Sequence, residues 1–219
     1  MPPDVDGRAG SLALPRHGPA PSLKLSPTII RGILLAAGSS SRFGANKLMH
    51  PLPDGKHAGV RIAVASARNL TAVLPNPIAV VRPGVPALEA ALREAGCEIV
   101  VCPDADQGMG ASLACAVAAS ADAFGWVVAL ADMPYIAADT IRAVAHWIGD
   151  GAVIAAPVYK GTRGHPVGLT EWVREELLAL RGDEGARSIL QRHAGSIQMI
   201  PVDDPGCLKD IDTPDDIAR

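Results

Sequence analysis

From residue 29 onward, short unbroken apolar runs alternate with longer stretches in which apolar positions recur every three or four residues. The runs predict strands over 29–36, 78–82, 98–102, 126–131, 152–156 and 197–202. The stretches between them predict helices over 57–72, 86–95, 110–122, 138–148, 171–180 and 185–193. Runs such as Ile78-Ala-Val-Val81 and Trp126-Val-Val-Ala-Leu130 show no polar alternation, which suits strands covered on both faces. This alternation predicts an α/β protein: a three-layer α/β/α sandwich, Rossmann-like, around a mainly parallel sheet with right-handed crossovers. In that architecture ligands gather beyond the C-terminal ends of the strands. Residues 1–28 are rich in Pro, Gly, Ser and Ala and lack a periodic apolar pattern. They read as a disordered N-terminal extension ahead of a single domain over 29–219.

The chain of 219 residues is long enough for one large domain with its own core. Hydrophobic residues make up 48% but aromatics only 3%, so that core must be built from Ala, Val, Leu and Ile. The three tryptophans, Trp126, Trp147 and Trp172, are expected in the core or between helices. A net charge of −3 without a basic patch argues against nucleic acid as a partner, and leaves room for a positive pocket. No apolar stretch reaches the roughly 20 residues that span a bilayer, and the N-terminus lacks the apolar segment of a secretory signal. A cytoplasmic protein is expected. The cysteines Cys97, Cys102, Cys115 and Cys207 have no Cys-x-x-Cys or zinc spacing and are expected as buried, reduced thiols.

Candidate chemistry begins where the first strand ends, in Leu35-Ala-Ala-Gly-Ser-Ser-Ser-Arg-Phe-Gly-Ala-Asn-Lys47. Small side chains at Ala36, Ala37, Gly38 and Ser39 let a ligand approach the backbone, whose N–H groups can form an anion-binding concavity. Arg42 adds a charged fork and Lys47 a point charge, which together predict a triphosphate cradle. The spacing matches neither the Walker A loop nor the Gly-x-Gly-x-x-Gly dinucleotide fingerprint.

Asp132 falls where the fourth strand runs out before Pro134, facing the same rim, and suits a divalent cation. An alternative is helix capping near Ala138, for which Asp139 is better placed. In the tail, alternation puts Asp210 and Asp212 on one side of an extended segment and Ile211 on the other. One of the two is a second metal-ligand candidate. Asp215 and Asp216 are explained by a helix start with Thr213 as N-cap and Pro214 first.

In Pro103-Asp-Ala-Asp-Gln-Gly-Met-Gly-Ala-Ser112, Gly110 and Ser112 open a helix and could hold a ribose or base, or simply cap the helix. His165, with Lys160 and Arg163, stands in a loop between two strand-like segments, as a structural hydrogen-bonder or as a contact to an anionic second substrate. Asp183 reads as an N-cap, and Arg187 as surface charge or a further anion contact.

Together these motifs resemble the molybdenum cofactor cytidylyltransferases of the MobA-like NTP transferase family. The resemblance rests on the 35–47 loop, Gln107-Gly-Met-Gly-Ala-Ser112, Ala131-Asp-Met-Pro134, Arg163-Gly-His-Pro166, Gly182-Asp-Glu-Gly-Ala-Arg187 and Asp210-Ile-Asp-Thr-Pro-Asp-Asp216. It implies the nucleotide-diphospho-sugar transferase fold and transfer of CMP from CTP to the terminal phosphate of molybdenum cofactor, with release of pyrophosphate. It further implies Mg²⁺ on Asp132 and Asp212, catalytic roles for Arg42, Lys47 and Asp132, and acceptor contacts from Arg163, His165 and Arg187. Leu35, Ala36, Ala37, Gly38, Ser39, Gly110 and Ser112 would join Arg42, Lys47 and Asp132 in binding nucleotide. The alanine pair before Gly38 matches the cytidine-preferring form of the loop. A recipient molybdoenzyme or its insertion chaperone is the implied macromolecular partner. A guanylyl- or sugar-phosphate-transferring enzyme of the same fold, or a non-catalytic cofactor-binding accessory protein, is the alternative. An accessory protein could lose Lys47 or Asp132 freely, whereas both are present here.

Overall fold

The computed structural model describes residues 29–38, 43, 47–53 and 55–217. Eight strands form one sheet: β1 (Ile30–Leu35), β2 (Ile78–Val81), β3 (Glu98–Val101), β4 (Gly125–Leu130), β5 (Ile154–Tyr159), β6 (Thr162–Arg163), β7 (Val167–Thr170) and β8 (Ile197–Pro201). Their order is β3-β2-β1-β4-β7-β5-β6, with β8 beside β5. Strands β1 to β4 are mutually parallel, and Leu35 of β1 stands in register with Val80 on one side and Leu130 on the other. Strand β7 runs antiparallel between β4 and β5, while β8 is parallel to β5.

Apolar side chains on the two faces of each strand divide the core in two, as a pleated strand buried on both sides requires. Leu34 and Ala36 point into a core shared with α1 (Ile62–Thr71), α2 (Pro86–Glu94) and α4 (Ala138–Gly149). Ile33 and Leu35 point into the other, shared with α3 (Met109–Ala118), α5 (Arg174–Leu178) and α6 (Arg187–Arg192). With few aromatics available, small residues let layers approach closely. A Cβ on Gly168 of β7 would lie 2.5 Å from Ile148 Cγ1 of α4.

The structure corrects several sequence expectations. Trp126 is fully buried, its Nε1 donating to Ser120 Oγ at 2.8 Å, but Trp172 is 79% exposed and Trp147 39%. The helix expected over 57–72 begins only at Ile62, because Gly59 takes a left-handed conformation (φ +73°) and Pro51 bridges Arg61. The one expected over 171–180 divides into a tight turn over Glu171–Val173 and α5. Asp139 does not cap α4; it ion-pairs with Arg142 one turn on. The capping acceptor is Asp204, far along the chain, which accepts from Ala137 N at 2.9 Å, Thr140 Oγ1 at 2.7 Å and Gly206 N at 2.9 Å.

Candidate active site

Hydrogen bonds beyond the strand ends fix the site's frame. Ala36 N donates to Val80 O at 2.9 Å, and Ala131 N to Leu35 O at 3.0 Å, so the β1 loop and Asp132 leave the sheet side by side. The backbone flanking Asp132 is pinned from α1: Ser66 Oγ donates to Ala131 O at 2.9 Å and Asn69 Nδ2 to Pro134 O at 2.8 Å. From the other side the tail adds Ile211 N to Asp132 O at 3.0 Å. Ile211 is buried, which turns Asp212 towards Asp132. The Asp212 backbone is held in turn by Asp216 Oδ2, which accepts from Asp212 N at 3.1 Å, Thr213 N at 2.8 Å and Thr213 Oγ1 at 2.8 Å.

Between the two carboxylates lies an ammonium. Lys47 opens a short helical turn over Lys47–Met49, is buried, and donates from Nζ to Asp132 Oδ2 at 2.9 Å and Asp212 Oδ1 at 3.2 Å. Burial alone pulls this ammonium towards its neutral form, but the hydrogen bonds and charges of Asp132 and Asp212 outweigh burial and raise its pKa above the ordinary lysine value. Two carboxylates converging on one cation position form a hard-oxygen donor pair of the kind that suits Mg²⁺, with phosphate and water completing the shell. The residues present therefore fit a divalent ion. Among the described residues no group of three or more His, Cys, Asp or Glu side chains gathers around one such position.

A cavity of about 890 Å³ opens from this pair across the C-terminal ends of β4, β1, β2 and β3, in the size range of a nucleotide site. Leu35, Ala37 and Gly38 line it, whereas the Ala36 side chain turns into the core. Ser112 lines it from α3, its hydroxyl donating to Gly108 O at 3.3 Å. Gly110 makes its close approach to protein: its N donates to Gly182 O at 2.8 Å, and a Cβ there would meet Arg181 O at 2.8 Å. Gly108 lines the cavity with φ +116°, under the Asp183 carboxylate. Asp183 is thus a cavity residue and not the N-cap of α6, which is Ala186. Ser39 and Arg42 lie outside the described residues, as does the expected extension over 1–28.

His165 lies beside this centre because β7 pairs with β4, returning the 163–166 loop to the rim near Asp132. Its N donates to Cys207 O at 2.8 Å, and its ring Nδ1 is buried with no partner among the described residues. Burial lowers its pKa; Asp132 and Asp210 oppose this shift and Arg163 adds to it. Arg163 is exposed on β6, and Arg187 is exposed at the start of α6, in the segment packed against Gly108 and Met109. The structure thus brings Lys47, Asp132 and Asp212 into contact, whereas Arg187 is neither in that cluster nor among the residues lining the cavity. Ser66, Asn69 and Arg82 carry no motif signal, and only the folded arrangement reveals them; Asp106, within the 103–112 segment but not singled out there, lines the cavity.

A mostly parallel sheet with this cavity across its strand ends has the architecture of the nucleotide-diphospho-sugar transferase class. The chain belongs to the MobA-like NTP transferase family, whose domain matches residues 32–197. It is 31% identical over 201 residues to the purine catabolism protein PucB of Bacillus subtilis (strain 168), covering 87% of this chain and 95% of that one. The crystal structure of Rv0371c from Mycobacterium tuberculosis H37Rv superposes with a TM-score of 0.76 at 31% identity, covering 89% of this chain and 98% of that one. A manganese complex of Rv0371c gives a TM-score of 0.73 at 28% identity, with coverage of 89% and 98%. Among the described residues no helix is long and apolar enough to cross a membrane.

Proposed function

We propose that the chain transfers CMP from CTP to the terminal phosphate of molybdenum cofactor, releasing pyrophosphate. The observation that carries this reading is the Asp132–Lys47–Asp212 cluster at the head of a nucleotide-sized cavity. The acceptor phosphate is largely ionised at neutral pH and needs no general base. Its oxygen forms a bond to the α-phosphorus as the bond to the pyrophosphate oxygen breaks, so positioning and charge neutralisation supply the catalysis. Asp132 and Asp212 would hold Mg²⁺, whose charge polarises the phosphoryl oxygens. Lys47, released from the carboxylates, would turn with Arg42 to the departing pyrophosphate. Arg163, His165 and Arg187 are assigned to the acceptor, and Ala37 and Ser112 to the nucleotide.

The likeness to PucB supports a second reading, in which a nucleotidyl transfer of this kind serves purine catabolism. One experiment tests the first. Purified protein is incubated with molybdenum cofactor, Mg²⁺ and each of CTP, GTP, ATP and UTP in turn, and the product is detected by mass. CMP transfer with the highest kcat/KM for CTP is expected. Preference for GTP would move the chain to guanylyl transfer, and absence of product with every nucleotide would overturn the assignment.

A further inference from the structure

Trp172 is 79% exposed, more than any other large apolar side chain among the described residues. It stands in the turn Glu171–Val173 between β7 and α5, where buried Val173 and Leu177 tie the segment to the core shared with α3 and leave the indole outward. Glu171 and Glu175 flank it, both exposed and without a side-chain hydrogen bond or ion pair among the described residues, whereas Glu176 is engaged by Arg192 and His193. The opposite face of the sheet carries a groove of about 320 Å³ between α1 and α2. Arg61, Val64 and Arg68 line it along one face of α1, and Ala91, Glu94 and Ala95 line it from α2. The two arginines are two helical turns apart, about 10 Å, and neither guanidinium has a partner among the described residues. Burial, then the charges of Lys56 and Arg68, lower the pKa of His57, in keeping with a positive wall that nothing neutralises.

We propose that this groove takes the Trp172 knob of a second copy of the chain. Complementarity selects that occupant: one face offers an exposed indole between two unpaired carboxylates, and the other an apolar trough beside two unpaired guanidiniums. In the docked pair the indole rests on Val64, Ala91 and Ala95 with the guanidinium planes of Arg61 and Arg68 against it, a cation–π arrangement. The N–H edges of the same arginines then meet Glu171 and Glu175, and Glu94 on the far wall keeps those carboxylates on the α1 side. Knob and groove lie on opposite faces of the sheet, so two copies cannot exchange knobs reciprocally. The contact is heterologous, and successive copies add head to tail. None of these residues lines the nucleotide cavity.

Sedimentation of the whole chain from about 1 μM to about 1 mM, the range of a small transient interface, tests this. The average mass is expected to climb with concentration past that of a dimer. Trp172→Ser is expected to weaken association about tenfold or more, as loss of a central aromatic anchor does. Two charge reversals, Arg61→Glu with Arg68→Glu and Glu171→Arg with Glu175→Arg, should each leave the protein monomeric over the same range. Every altered side chain is exposed, so the circular dichroism of all three variants should match wild type. Mixed in equal amounts, the two charge-reversed proteins should associate again, since each offers the other a complementary surface. Wild type that stays monomeric throughout, or a mass that stops at the dimer, overturns the inference. So does association that survives Trp172→Ser or either reversal, or a mixture that stays monomeric.

Discussion

Lys47 sits where a metal ion would be held, and its positive charge makes the Asp132–Asp212 pair tolerable without one. Removing it should separate two functions. Lys47→Met leaves two close carboxylates without their ammonium, so Mn²⁺ affinity in the absence of nucleotide should rise, as read by electron paramagnetic resonance. Turnover should fall about a hundredfold or more, because charge on the leaving pyrophosphate then goes unmet. Unchanged Mn²⁺ affinity would show that the lysine does not compete for the carboxylates. His165 gives a pH signature. Its folded pKa lies below the unfolded value of about 6.5, so the unfolded chain takes up the proton first. The histidine's contribution to stability is present above that pH and is lost as pH falls through the unfolded and then the folded pKa. Asp132 and Asp210 temper the effect and Arg163 sharpens it. Melting temperatures from pH 7.5 to 5 should drop more steeply for wild type than for His165→Asn; parallel curves would remove the histidine from the account.

Among the elements, α1 positions chemistry it does not perform. Asn69 and Ser66 are buried, and each spends its side chain on a carbonyl flanking Asp132. Asn69→Ala leaves Pro134 O unsatisfied, for a loss of about 1–3 kcal/mol by urea unfolding. Turnover should fall further than stability explains if the turn carrying Asp132 shifts, whereas wild-type kcat in the folded variant would reduce Asn69 to a purely structural role. Nothing in the local pattern announced this pair, since a polar residue on a helix reads as solvated until its partner on another element is known. Asp204 was hidden for the same reason: it caps α4 from more than sixty residues away. The first four strands were legible as short unbroken apolar runs, and the helices between them from their own three-to-four-residue period. Strand β7 is not among the expected strands, although the loop around His165 reads as joining two strand-like segments: Val167-Gly-Leu-Thr170 has its apolar run broken by Gly168 and directly follows a proline. The loop from Leu35 to Lys47, Asp132 and Asp212 stand out in the sequence as candidates, but the embrace of Lys47 by both carboxylates required the fold.

Across the whole molecule, β7 divides the sheet's labour. The parallel half, β3-β2-β1-β4, bears the cavity, while the half beyond β7 brings the Arg163–His165 loop to the rim. If the two substrates approach from these two halves, kinetics should separate them. Arg163→Ala is expected to raise the acceptor KM several-fold at constant CTP KM, and Ser112→Ala to do the reverse; a rise of both constants in either variant would dissolve the division. The backbone tie from Ile211 to Asp132 also has a bearing on biosynthesis. The cation position draws on residues 47, 132 and 212, so the nascent chain can build its sheet's parallel half, cavity included, long before the second carboxylate leaves the ribosome. A nucleotide site formed early would remain chemically silent until the tail docks, and competence would come as the last event of folding rather than with the core.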